Sequence, residues 1–173
     1  MNARLDILLV DQRTELETNK IMEIVNDLKN NNTPSLLYEF NSYKKWYKLN
    51  LEKDTLKKSK IYLEQKSYLE DISYMSRNYK ALHNIKFLII DGLQEISTIK
   101  RYELGRSDIV SIIIQELKKL EQELNISIIV TAPKKATIDE VKDDKIKLLS
   151  YFCKAEAAKD YIDEIILLEK EWN

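Results

Sequence analysis

With 173 residues, the chain has the length of one domain and can bury about 70% of its unfolded surface. Its 28 basic and 29 acidic side chains nearly cancel, so no global field draws it to nucleic acid or membrane, and any such contact has to be local. The single cysteine, Cys153, excludes an internal disulfide and suits a reducing cytoplasm; no apolar run reaches the roughly 18 residues of a membrane span, and the apolar segment after Met1-Asn2-Ala3-Arg4 is too short for a secretory signal.

Two glycines against the usual share of about 7% mean that most of the flexible turns that cradle phosphates are missing. One histidine, His83, and one cysteine cannot build a zinc site by themselves. His83 ends a helical stretch and reads as a capping or surface residue.

In chain order, Leu5 to Val10 is a short apolar run of strand length. The polar stretch Asp11 to Lys20 turns into a helix in which Ile21, Ile24, Val25 and Leu28 recur at helical spacing, and Asn30-Asn31-Asn32-Thr33-Pro34 stops it. Ser35 to Phe40 reads as a second strand. Tyr43, Trp46 and Tyr47 then alternate with Lys44, Lys45 and Lys48, which are the side-chain types of a stacking platform for bases and equally those of a short helix anchored by Trp46. Lys60 to Glu64 reads as a third, exposed strand. An amphipathic helix follows from about Ser67 to Leu82, with Leu69, Ile72, Met75, Tyr79 and Leu82 on one stripe.

Ile85 to Gln94 is the stretch around which the rest is organised. Phe87-Leu88-Ile89-Ile90 running into Asp91 and Gly92 reads as a buried parallel strand with its carboxylate at the carboxyl end, the edge where open α/β sheets bind ligands. A long helix from about Ser107 to Leu124 comes next, capped by Ser107 or Asp108, with Ile109, Ile112, Ile113, Leu117, Leu120 and Leu124 as its buried face. Ile126 to Thr131 is another buried strand, Ala132 to Lys147 a charged loop, Leu148 to Ala158 a short helical piece and Ile162 to Leu168 a last strand. Alternating strands and helices predict an α/β fold, a mostly parallel sheet flanked by helices on both faces, with residues 1–173 as a single domain.

Within that class, Leu88-Ile89-Ile90-Asp91-Gly92-Leu93-Gln94 resembles the second nucleotide motif of the DnaB-type replicative helicases, in which the acid is followed after one residue by Leu-Gln. Downstream, Arg106, Val110-Ser111, Ile113, Leu117-Lys118, Leu120 and Glu123-Leu124-Asn125-Ile126 fall in that family's register without a gap. Leu149-Ser150-Tyr151-Phe152, Ala157 and Asp163 to Leu168 look like the segment leading into its last core strand, and Lys60 to Tyr79 resembles the strand and helix that precede the acid strand. The likeness spans nearly the whole chain and implies the RecA-like motor domain, a member of the phosphate-loop NTPase superfamily.

Where the resemblance implies a phosphate-binding loop, this chain reads Gln12-Arg13-Thr14-Glu15-Leu16-Glu17-Thr18-Asn19. Such a loop needs glycines so that backbone N–H groups surround the phosphates, a lysine for their charge and a hydroxyl for magnesium. No glycine is present; Thr18 stands at the lysine position and Asn19 at the Ser/Thr position. Glu15 and Glu17 add negative charge, each like-charge contact costing about 4 kcal/mol at ~4 Å and an effective dielectric of ~20 before screening. The family's activating glutamate falls on Asn41 or, with a two-residue slip, on Glu39. Its nucleotide-sensing glutamine falls on Pro133, and its cross-subunit arginine lies beyond the chain or near Lys170. Asp91 remains, although an acid at a strand end also persists for hydrogen-bonding reasons alone.

In ring helicases of this type, loops at the strand ends hold single-stranded nucleic acid. The corresponding residues are Lys100, Arg101 and Arg106 in one loop and Lys134, Lys135, Lys142, Lys145 and Lys147 in the other, with Glu95, Glu103, Asp139, Glu140, Asp143 and Asp144 interspersed. The resulting expectation is a catalytically silent, helicase-like domain without ATP or magnesium, acting in the cytoplasm on a replicative helicase or another replication protein, with homo-oligomerisation open. Two alternatives stand beside it: a helicase motor domain or fragment that binds nucleotide and single-stranded DNA, and a standalone single-strand-binding module.

Overall fold

A computed structural model of the chain describes residues 3–10, 16–39, 60–99, 105–133, 147, 150 and 155–168. The strands are β1 (Leu5–Val10), β2 (Ser35–Glu39), β3 (Ile61–Glu64), β4 (Phe87–Asp91), β5 (Ser127–Pro133) and β6 (Glu164–Leu168). Between them run α1 (Leu16–Asn30), α2 (Leu69–His83), α3 (Arg106–Leu124) and the single turn α4 (Ala155–Ala158). The strands form one six-stranded sheet in the order β3-β2-β4-β5-β1-β6, and every pairing in it is parallel.

Alternation along each strand separates two cores. Leu5, Ile7, Leu36, Tyr38, Leu88, Ile90, Ile128, Val130 and Ala132 point to one face, where Leu69 and Ile72 of α2 and Val110, Ile113, Ile114, Leu117 and Leu120 of α3 cover them. Leu37, Ile61 and Ile89 point to the other, against Val25 and Leu28 of α1. A parallel sheet covered on both faces needs apolar residues on both faces of its strands, and Phe87–Ile90 of β4 and Ile128–Val130 of β5 supply them.

Two helices stop on asparagine. Asn84 and Asn125 take left-handed backbone, φ 51° and 48°, and their N–H groups bond Lys80 O and Glu121 O; asparagine tolerates that region better than most residues, which makes it a helix terminator here.

Several boundaries differ from the sequence reading. The cap of α3 is Gly105, in extended backbone with no side-chain capping bond, rather than Ser107 or Asp108; the helix starts one residue earlier, and Asp108 sits in the first turn, where its charge complements the helix dipole. The buried face of α3 is rotated toward Val110 and Ile114, leaving Ile109, Ile112 and Leu124 half-buried. Leu82 is not part of the α2 stripe: it is 76% exposed, while Tyr79 and His83 at the same end of the helix are the residues that meet Tyr62 of β3. β3 is less exposed than expected, since Ile61 is buried in the α1-side core and the rest of the strand is half-buried. Strand β5 runs through Ala132 to Pro133 instead of ending at Thr131, drawn on by β1, where Leu9 pairs Ala132 and Val10 pairs Pro133. β4 pairs β5 only from Ser127 to Val130, so no ladder bond on that side needs the N–H that proline lacks.

The amino-terminal ends of β1 and β6 are tied by charge. Asp163 accepts from Leu5 N at 2.6 Å and from Lys118 Nζ at 2.7 Å. Lys118 also lies 2.9 Å from the buried Glu121 carboxylate, and Arg4 pairs with Glu164 and with Asp6.

Candidate functional site

At the carboxyl edge of the sheet, register brings one row of residues together. Glu39 of β2 pairs Asp91 of β4, Thr131 of β5 pairs Leu8 of β1, and Leu8 pairs Ile166 of β6. Asp91 and Thr131 lie side by side across the β4–β5 junction: Thr131 Oγ1 donates to Asp91 Oδ1 at 2.9 Å. Both are buried, Asp91 6% exposed and Thr131 0%.

Beyond Asp91 the chain turns at Gly92, whose φ of 114° only glycine adopts without strain, and a Cβ there would stand 3.1 Å from the side chain of Glu95. A single 3₁₀ turn follows, Leu93–Glu95, with Leu93 and Ile96 buried under it. The start of α3 grips this loop: Arg106 Nη2 donates to Gln94 O at 2.6 Å and to Ile96 O at 3.0 Å. The start of α2 grips its far end, where Glu70 accepts from Thr98 Oγ1 at 2.6 Å and Ile99 N at 3.1 Å. Leu69 N bonds Ser97 O and Ser97 N bonds Ser67 O, at 2.8 and 2.7 Å. Residues 92–99 thus form a strap between two helix N-termini and the end of β4.

Of the site residues expected from sequence, Asp91 sits at the strand end as foreseen, and the register puts Glu39 beside it. Thr18 and Asn19 fall in the first turns of α1. Arg106 is at the start of α3 and turns at least one guanidinium nitrogen onto the strap. Gln12, Arg13, Thr14, Asn41, Trp46, Lys100, Arg101, Lys134 and Lys135 lie outside the described residues. Pro133 is the last residue of β5. Sequence reasoning missed Thr131 and Glu70. A threonine within the otherwise apolar run Ile-Ile-Val-Thr-Ala was the available signal, because a buried hydroxyl must find a partner.

On the flank of the sheet, His83 stacks on Tyr62 with ring centroids 4.3 Å apart, and Tyr79 donates to Glu64 at 2.7 Å. Burial, with the Glu64 bond adding, pushes the Tyr79 hydroxyl up to about 12. These rings pack on one another and keep His83 at the surface. Among the described residues, no group of three or more His, Cys, Asp or Glu could hold a metal ion, and no helix is long and apolar enough to cross a membrane.

The model of the DnaB-like helicase C-terminal domain matches residues 8–171. The chain belongs to that family. It is similar to the replicative DNA helicase DnaB of Rickettsia typhi, 28% identical over 132 residues, a match that covers 75% of this chain and 26% of the helicase. Among solved structures it superposes on a DnaB-like replicative helicase, described with its interactions with primase, at a TM-score of 0.71 and 15% identity, covering 98% of this chain and 47% of the other. A KaiC-like protein of the hyperthermophilic archaeon Pyrococcus horikoshii matches with a TM-score of 0.66 and 15% identity, over 99% of this chain and 75% of that one. The DnaB-like chain therefore spans about a quarter of its curated relative and about half of its solved helicase counterpart. At these identities the two structures bear on the fold alone, a RecA-like α/β domain.

Proposed function

We propose that this DnaB-like domain is a silent copy of the helicase motor, with a degenerate phosphate loop, which works in the cytoplasm by docking on a replicative helicase or another replication protein. The observation that carries the reading is the contrast along the carboxyl edge. The acid strand, its neighbours and the strap keep their packing, while Gln12 to Asn19 offers no glycine, Thr18 for lysine, Asn19 for the magnesium hydroxyl, and the charges of Glu15 and Glu17. A triphosphate needs convergent N–H groups and cations, and the residues present do not fit it. Motors of this fold assemble by packing one domain on the next, so a copy with an intact shell and no fuel site can still dock. Co-purification with the host helicase is expected to give a complex at micromolar concentration, and its absence would sink the proposal. The solved DnaB-like relative interacts with primase, which makes a primase the second protein to test.

One observation favours a working motor fragment instead: register keeps Glu39 next to Asp91, two carboxylates at the edge where nucleotide chemistry takes place in this fold. Isothermal titration with ATP and magnesium separates the readings, since a silent domain gives no heat and a motor gives a micromolar constant. A single-strand-binding role predicts oligonucleotide affinity that falls steeply with salt.

A further inference from the structure

An acid that outlives the loss of its phosphate loop needs another reason to stay, and the β4–β5 junction supplies one. A carboxylate lifted out of water is costly unless donors meet it, and Asp91, 6% exposed, meets the hydroxyl of the fully buried Thr131 at 2.9 Å. The β4–β5 ladder runs from Phe87–Ser127 to Ile90–Val130, so this side-chain bond fastens the two strands one step beyond their last paired residues. From that point the backbone turns through Gly92 into the strap, whose carbonyls at Gln94 and Ile96 are held by Arg106 and whose far end is held by Glu70. Releasing the first of these fastenings slackens the chain between it and the others.

We infer that Asp91 is a positioning residue: it is the acceptor for Thr131 that fixes the carboxyl end of β4 and thereby seats residues 92–99 between the starts of α2 and α3. In a working phosphate-loop motor the equivalent acid holds magnesium; here it holds a neighbouring strand. The inference deepens the silent-site reading and rests on it, whereas docking on a helicase is a separate matter.

The test combines thermal unfolding, hydrogen exchange and isothermal titration with magnesium chloride alone, all on the intact chain. D91N keeps an acceptor for the Thr131 hydroxyl and is expected to melt within about 2 °C of the unsubstituted chain, while D91A and T131V each lose about 5 °C. The double variant D91A/T131V loses no more than about the worse single one, because both remove the same bond. In T131V the amides of Leu93 to Ile99 exchange about tenfold faster with those of β2 and β6 unchanged, and T131S restores them. Magnesium gives no heat with either the unsubstituted chain or D91N. The inference is overturned if D91N is as damaging as D91A, if D91N fails to fold, or if magnesium binds the unsubstituted chain and not D91N. Should T131V itself not fold, the comparison of D91N with T131S decides. Failure of D91N to rescue leaves a helicase complex untouched as a result, and absence of that complex leaves the Asp91–Thr131 bond untouched, so the two readings fail separately.

Discussion

At the carboxyl end of β4, a buried acid meets a hydroxyl of β5, and the chain continues into a loop gripped from two helix starts. At the amino-terminal ends the contacts are ion pairs: Lys118 with Asp163 and Glu121, and Arg4 with Asp6 and Glu164. The first kind is directional and short in reach, so it fixes a shape. The second is stronger where it is buried and is screened where it is wet. The carboxyl edge, where open α/β sheets bind ligands, is held at β4 and β5 by directional contacts, while the opposite edge carries the charge that joins β1 to β6.

Removing Lys118 is the largest way to break the contrast. K118A strands the Glu121 carboxylate, whose side chain is only 4% exposed, and is expected to cost about 3 kcal/mol in urea unfolding. At the other edge, R106A frees two loop carbonyls and is expected to cost about 1.5 kcal/mol, with faster exchange at Gln94 to Ile96. Its oligonucleotide affinity, compared with K100A and R101A, shows whether Arg106 has anything left for a phosphate.

Acid sharpens the picture further. Burial pushes Asp163 up, yet the ammonium of Lys118 and the N–H of Leu5 outweigh it and hold its carboxyl below the ordinary range. With a folded pKa below the unfolded value, Asp163 contributes stability that is present above about pH 4 and is lost as pH falls through the folded value. Asp6 has the opposite sign: burial raises its carboxyl despite Arg4, so its ionisation costs stability as pH rises from about 4 through the folded value. Urea midpoints from pH 2.5 to 7 are therefore expected to flatten on the acid side in D163N, and to improve relative to the parent above pH 4 in D6N. The smallest effect is R77A. Its bidentate pair with Glu123 joins α2 to α3 at 2.7 and 2.6 Å, but both side chains are about half exposed, so a loss of about 0.5 kcal/mol that shrinks in salt is expected.

The strands were legible in sequence because a two-sided parallel sheet writes itself as unbroken apolar runs; Phe87 to Asp91 and Ser127 to Thr131 leave little choice. Helix faces were less legible. Ile112 and Ile114 are equally apolar, and only the tertiary packing of α3 decides that Ile114 is covered and Ile112 half so. Leu82 fits its stripe by spacing, but Tyr79 and His83 are the residues at that end of α2 that meet β3, and Leu82 is left exposed. Asp91 could be placed from its strand, whereas its partner Thr131 lies forty residues on, in contact only because β5 sits beside β4. Arg106 read as a loop cation because its charge is visible in sequence and the carbonyls it serves are not.

The position of β1 inside the sheet has a consequence for how the chain is made. Its two neighbours are β5 and β6, drawn from residues 127–133 and 164–168, so during synthesis an apolar segment leaves the ribosome long before either flank exists. Pairings of such long sequence separation close slowly. The nascent polypeptide therefore carries an unpaired apolar strand until residues 127–133 and 164–168 are delivered.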